Sequence, residues 1–149
     1  MQVTFKISFQ NLTKLKNSKM AKLTAQQANE LANNFLGLAQ AIGDYRYQNF
    51  DTLTKQQNQK IRDLHWSILN YADDLYTLSA TLVMDNVQTS LTSIGAVTTK
   101  IQSTYKTLQD VQKAINVAAS VVTLGGSILS KNPQAIADSI RGLVATWNA

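Results

Sequence analysis

The chain has 149 residues, no cysteine, one proline and six glycines, and a formal net charge of +5. That length suits a single domain with its own core. The lack of cysteine excludes disulfides and thiolate metal sites, and so little proline and glycine argues against a loop-rich all-β fold.

The surplus charge is local. Lys6, Lys14, Lys16, Lys19 and Lys22 stand in a stretch that holds no acid, and the charges beyond it balance. A basic segment of this kind points to an anionic partner, or to a solubilising arm lying on the chain's own surface. Within it, Val3, Phe5, Ile7 and Phe9 alternate with Thr4, Lys6 and Ser8. Strict period two predicts a β-strand with one apolar face. No second strand of similar quality follows. The expected pairings are with another copy of the chain, with a partner, or irregularly with the helices. Residues 1–20 carry no apolar core or small-residue cleavage site of a secretory signal, so a soluble chain is expected.

Thr24 with Gln27 fits a capping box. Ala28, Leu31, Ala32, Phe35, Leu38, Ala39 and Ile42 then share one helical face, and Gly43 fits its stop. Residues 44–51 read as an aromatic-rich connection. A second helix is expected to begin between Asp51 and Thr54. Ile61, Leu64, Ile68, Tyr71, Leu75, Leu78 and Leu82 follow at alternating spacings of three and four, a heptad seam. The phase breaks after Leu82, and Met84-Asp85-Asn86 is the expected turn. A new seam runs through Ile94, Val97, Ile101, Thr104, Leu108, Val111, Ile115, Ala118 and Val122. A hairpin would bring the two seams face to face; the alternative is one continuous helix with a phase shift. Asn132 suits an N-cap and Pro133 the first helical position. The last helix offers Ile136, Ile140, Leu143, Val144 and Trp147 on one face.

The expected fold is mainly α: a four-helix, bundle-like domain over residues 23–149 with a long antiparallel helical hairpin, preceded by a basic strand-like arm over residues 1–22. Residues 114–129 carry no charge and are apolar or small on every side. A helix of that kind is buried in a core or in lipid. It spans roughly 24 Å against a hydrocarbon layer of about 30 Å, short for a permanent span. Buried in solution and exposed on a membrane is an arrangement that satisfies both readings.

Little in the sequence supports catalysis. His65 is the only histidine, and no nucleophile motif accompanies it. Asp73 and Asp74 are adjacent and project in different directions along a helix. No Glu-x-x-His pattern exists, so a di-iron carboxylate bundle is not expected. Gly125-Gly126 followed by Lys131 lacks the spacing of a phosphate loop; the glycine pair suits close helix packing or a segment that rearranges. The lysine arm has no arginine and no stacking motif beside it, which argues against nucleic acid. No cofactor or metal is implied.

The two heptad seams, followed by the charge-free segment Val117–Gly126 (VAASVVTLGG), resemble the architecture of α-helical pore-forming toxins of the cytolysin A and haemolysin BL type. The resemblance covers residues 53–147. This chain is much shorter and lacks their apolar head between two long helices, and no functional residue is carried over. The resemblance implies a soluble helical protein that engages membranes or partner chains. The expected function is association without catalysis. In its concrete form the protein is membrane-active: Val117, Val121, Val122, Leu124 and Ile128 form the apolar contact, and Lys6, Lys14, Lys16, Lys19 and Lys22 attract anionic lipid. The alternative is a protein–protein or homo-oligomerisation module that uses its heptad faces or the N-terminal strand.

Overall fold

The computed structural model describes residues 20–149. The Val3–Phe9 strand and Lys6, Lys14, Lys16 and Lys19 lie outside them. The described chain is mainly α-helical, a bundle with a two-stranded ribbon: β1 (Ala21–Lys22), α1 (Ala25–Gln48), α2 (Lys55–Ser79), β2 (Val83–Met84), α3 (Val87–Thr104), α4 (Val111–Ser130) and α5 (Pro133–Asn148). A short 3₁₀ turn, Tyr105–Thr107, separates α3 from α4.

The helix starts follow the local chemistry. Thr24 Oγ1 accepts the Gln27 amide at 3.1 Å, and Gln27 Oε1 accepts the Thr24 amide at 3.0 Å. Thr54 and Gln57 repeat the arrangement at the start of α2, at 3.1 and 2.9 Å. Each box satisfies amide groups that the first turn leaves without helical partners. Asn132 Oδ1 caps α5 by accepting from the Ala135 amide at 3.0 Å, with Pro133 at its first position. The turn before α3 sits at Asn86, as expected, although its side chain makes no capping bond. It works instead through a left-handed backbone, φ 49°, which asparagine adopts more readily than most residues.

Three features differ from the sequence expectation. First, Gly43 does not end α1. The helix continues to Gln48 because Tyr45 extends the buried row of Leu31, Phe35, Leu38 and Ile42. The Tyr45 ring packs against Tyr105 with centroids 5.0 Å apart. Second, the seam from Ile94 to Val122 is not one helix. It breaks between Thr104 and Val111, so there are five helices among the described residues rather than four. Third, the two heptad seams do not face each other. α2 packs on α1 and α4, whereas α3 packs on α1 and α5. The long hairpin is α1–α2, and α4–α5 is a second one. α1 can lie between α2 and α3 because its apolar stripe is wide: Ala28, Leu31, Ala32, Phe35, Leu38, Ala39, Ala41, Ile42 and Tyr45 are all buried.

The end of the arm pairs within the chain. Ala21 stands opposite Met84 and Lys22 opposite Val83 in an antiparallel ribbon, and the Leu23 amide donates to the Leu82 carbonyl at 3.0 Å. The α2 seam is confirmed as the core-facing row. Ile61, Ile68, Leu75 and Leu82 are fully buried, and Leu64, Tyr71 and Leu78 pack at the edge of the core.

Candidate functional site

Four of the five residues expected to form the apolar contact lie in the core. Val117, Val121, Leu124 and Ile128 are fully buried, with Ala114 and Ala118 beside them, and Val122 is half-buried. They face α2 and α5. The face that α4 shows to solvent carries Gln112, Asn116 and Thr123, polar but uncharged. By length and composition α4 is the one helix among the described residues suited to cross a membrane; its inward row is buried in the bundle, and Val111, Ile115 and Val122 are partly covered.

The α4–α5 pair is joined by hydroxyl contacts as well as apolar packing. Ser120 Oγ donates to Thr146 Oγ1 at 3.0 Å, and the Ser127 and Ser139 hydroxyls meet at 2.5 Å. At the open end Lys113 Nζ lies 5.0 Å from the centre of the Trp147 ring, a cation–π geometry. The Gly125-Gly126 pair marks close packing. A Cβ on Gly125 would come within 2.4 Å of Tyr71 Cδ2 and 2.9 Å of Phe35 Cζ, so α1, α2 and α4 meet there at a separation that only glycine allows. Gly126 has no such constraint. Of the arm lysines, Lys22 is described, exposed on β1.

Asp73 and Asp74 are exposed on the outer side of α2. The described residues contain no cluster of three His, Asp or Glu side chains able to hold a metal ion. The His65 ring lies against α1 at Gly43. A Cβ on Gly43 would stand only 2.9 Å from its Nε2, so the glycine makes room for the ring. Partial burial pushes the His65 pKa below the usual imidazole value, and the Arg46 guanidinium adds to the effect; the Ala39 carbonyl, which favours the protonated ring, acts in the opposite direction. The imidazole is therefore neutral at physiological pH.

His65 forms one wall of a cleft of about 690 Å³ at the α1–α2 end, lined also by Gly43, Arg46, Tyr47, Phe50 and Asp51. A second hollow of about 510 Å³ shares Arg46, Phe50 and Asp51 and adds Leu53, Lys55 and Arg62. Together they make a groove with three cationic side chains and one carboxylate. The walls are aromatic and unusually open: Tyr47 is 88% exposed and Phe50 57%. Arg46 forms no ion pair among the described residues; the two that exist there are Arg62–Asp63 and Arg141–Asp138. The connection is well supported beneath these side chains. Asn49 Nδ2 donates to the Tyr45 and Lys106 carbonyls at 2.9 Å each, and Asn58 Nδ2 to the Phe50 carbonyl at 3.1 Å. Exposed aromatics are thus presented on a fixed backbone. The aromatic richness of residues 44–51 was visible in the sequence; their division into one buried tyrosine and two exposed rings was not.

Comparison of the chain with protein-family models, with curated proteins and with solved structures finds no match.

Proposed function

We propose that the protein is a non-enzymatic helical bundle that acts by association, and that it docks a partner protein at the α1–α2 end. The observation that carries this reading is the exposure of Tyr47 and Phe50 around a groove containing Arg46, which has no ion-pair partner among the described residues. Large aromatics and arginine are the residues that most often anchor interfaces: the rings bury much area for few frozen torsions, and the guanidinium presents several donors in a rigid plane. Arg46 and Lys55 against Asp51, with Arg62 already paired to Asp63, favour an acidic segment with an apolar side chain. A photoreactive phenylalanine analogue placed at Tyr47, with Thr123 on the outer face of α4 as control, tests the reading in the cells that make the protein. A discrete protein adduct formed from position 47 alone supports it. Equal adducts from both positions, or none, would defeat it.

Membrane engagement through α4 is the second reading. It is favoured by the charge-free length of that helix and requires α4 to leave α2. Anionic liposome co-sedimentation with dye release tests it, comparing wild type with Val122→Asp. Val122 is the half-buried member of the group, so this change probes the lipid contact while sparing the core. Leakage by wild type that is lost in the folded variant supports insertion. No binding by wild type ends that reading.

A further inference from the structure

The break between α3 and α4 contains no residue that demands it. Residues 104–110 read Thr-Tyr-Lys-Thr-Leu-Gln-Asp, with neither proline nor glycine. The apolar row of α3, at Ile94, Val97 and Ile101, continues in phase through Leu108 to Val111, Ile115 and Val122. In the folded chain that row is divided. Its α3 half is buried as far as Ile101 and Thr104 is exposed; beyond the break Ala118 is fully buried, but Leu108, Val111, Ile115 and Val122 are only partly covered. The reason is that α4 turns a different row inward: Ala114, Val117, Val121, Leu124 and Ile128. The chain therefore encodes two apolar rows on α4, one matched to α2 and one in register with α3. The second row is in line with α3 only when the two helices join. A joined helix from Val87 to Ser130 would be about 66 Å long. It would carry α4 and α5 away from their own α2, α3 and β2, and the surfaces uncovered are complementary to the same segment of a second copy.

We propose that the protein forms an exchanged dimer, in which residues 105–110 straighten and the α4–α5 pair of each copy occupies the place of its counterpart in the other. The partner is a second copy because each contact that α4 and α5 make with the rest of the bundle is remade with identical residues. The partly covered row (Leu108, Val111, Ile115 and Val122) closes where the two long helices cross. What the exchange gives up is the set of bonds that hold the turn, first the buried Tyr105 hydroxyl donating to the Ala114 carbonyl at 2.6 Å. Asp110 Oδ1 accepts the Lys113 amide at 3.1 Å, the Leu108 amide donates to Tyr105 at 3.0 Å, and Asn49 Nδ2 holds the Lys106 carbonyl. What it gains is an unbroken helical ladder and burial of the second row. The exchange leaves the side chains that line the α1–α2 groove in place but removes one bond beneath them, from Asn49 to Lys106.

Gln109→Pro separates the two forms. Leu108 has φ −60° and ψ 128°, the extended conformation preferred before proline, and among the described residues no backbone hydrogen bond in the turn uses the Gln109 amide. In the turn the substitution therefore removes no backbone bond, whereas in a joined helix it removes one and clashes with the preceding turn. Sedimentation and light scattering from micromolar to millimolar protein should show monomer and dimer in slow exchange for wild type. Gln109→Pro should keep the helical content of the monomer and lower the dimerisation constant by at least about a hundredfold. A second variant reads the exchange directly. The chain has no cysteine, and Tyr71 Cγ lies 3.0 Å from where a Gly125 Cβ would stand, so oxidised Tyr71→Cys/Gly125→Cys links α2 to whichever α4 is packed on it. Within the dimer fraction, a link between the two copies supports the proposal. A link within each copy, a dimer unaffected by Gln109→Pro, or a monomer at every concentration would overturn it. If the double cysteine chain does not fold, the comparison of wild type with Gln109→Pro decides alone.

Discussion

Individual side chains show how closely the bundle is fitted. Gly125→Ala adds a single methyl group where Tyr71 and Phe35 already stand within contact distance. Overpacking of this kind costs about 1–3 kcal/mol, and the urea midpoint should fall accordingly; Gly126→Ala, with space around it, should not lower it. His65 contributes a pH dependence of known sign. Its folded pKa is depressed below the ordinary value of about 6.5. The unfolded chain therefore binds the proton more readily. This contribution to stability is complete above the unfolded pKa and is lost as pH falls from about 6.5 toward the folded value. Chemical denaturation across that window should show a steeper decline for wild type than for His65→Gln. Equal slopes would mean that the ring is not held in its place against Gly43. The sequence marks both residues, but not their contacts. Gly43 resembles a helix stop until Tyr45 is seen to prolong the row of Leu31, Phe35, Leu38 and Ile42 at the same spacing of three and four. Gly125 resembles a flexible point until Tyr71 is seen filling the space of its missing side chain.

At the scale of elements, the chain announces its helix starts and conceals its one internal break. The Thr24 box, the Asn132-Pro133 start and the α2 seam are legible because each depends on residues within a turn or two of one another. Thr54→Ala removes the side chain that accepts the Gln57 amide and should cost about 1 kcal/mol, seen as a lower midpoint with an unchanged denaturant slope. An unchanged midpoint would show that the box is replaced by water at no cost. The break between Thr104 and Val111 has one local signal, Asp110, which caps α4 by accepting the Lys113 amide, but no proline or glycine to end α3. It is set from outside, by Asn49 holding Lys106 and by the buried Tyr105 hydroxyl donating to the Ala114 carbonyl at 2.6 Å. The pairing of helices was hidden for a similar reason. Heptad rows reveal which face is apolar, but not which of several apolar faces it will meet, and the wide stripe of α1 outcompeted the expected meeting of α2 with α3.

Across the whole molecule, the position of α4 decides what its apolar residues do. Val121 is fully buried and Val122 is not. Val121→Asp places an unpaired carboxylate in the core, and its thermal transition should be lost or strongly lowered. Val122→Asp should retain a cooperative transition. If both variants behaved alike, the inward row of α4 would be wrongly assigned. The apolar nature of this helix was plain from its sequence, whereas the choice between core and lipid was not, because both environments select the same residues. The aromatic groove was harder still to foresee: exposure of Tyr47 and Phe50 depends on how far α1 extends. The meeting of Gly125 with Tyr71 and Phe35 also bears on how such a chain diverges. A position that tolerates no side chain can change only if its neighbours shrink first. In any relative that carries alanine or serine at the place of Gly125, a smaller residue is expected at the place of Tyr71, so the two sites should drift as a pair while the open Gly126 beside them varies freely.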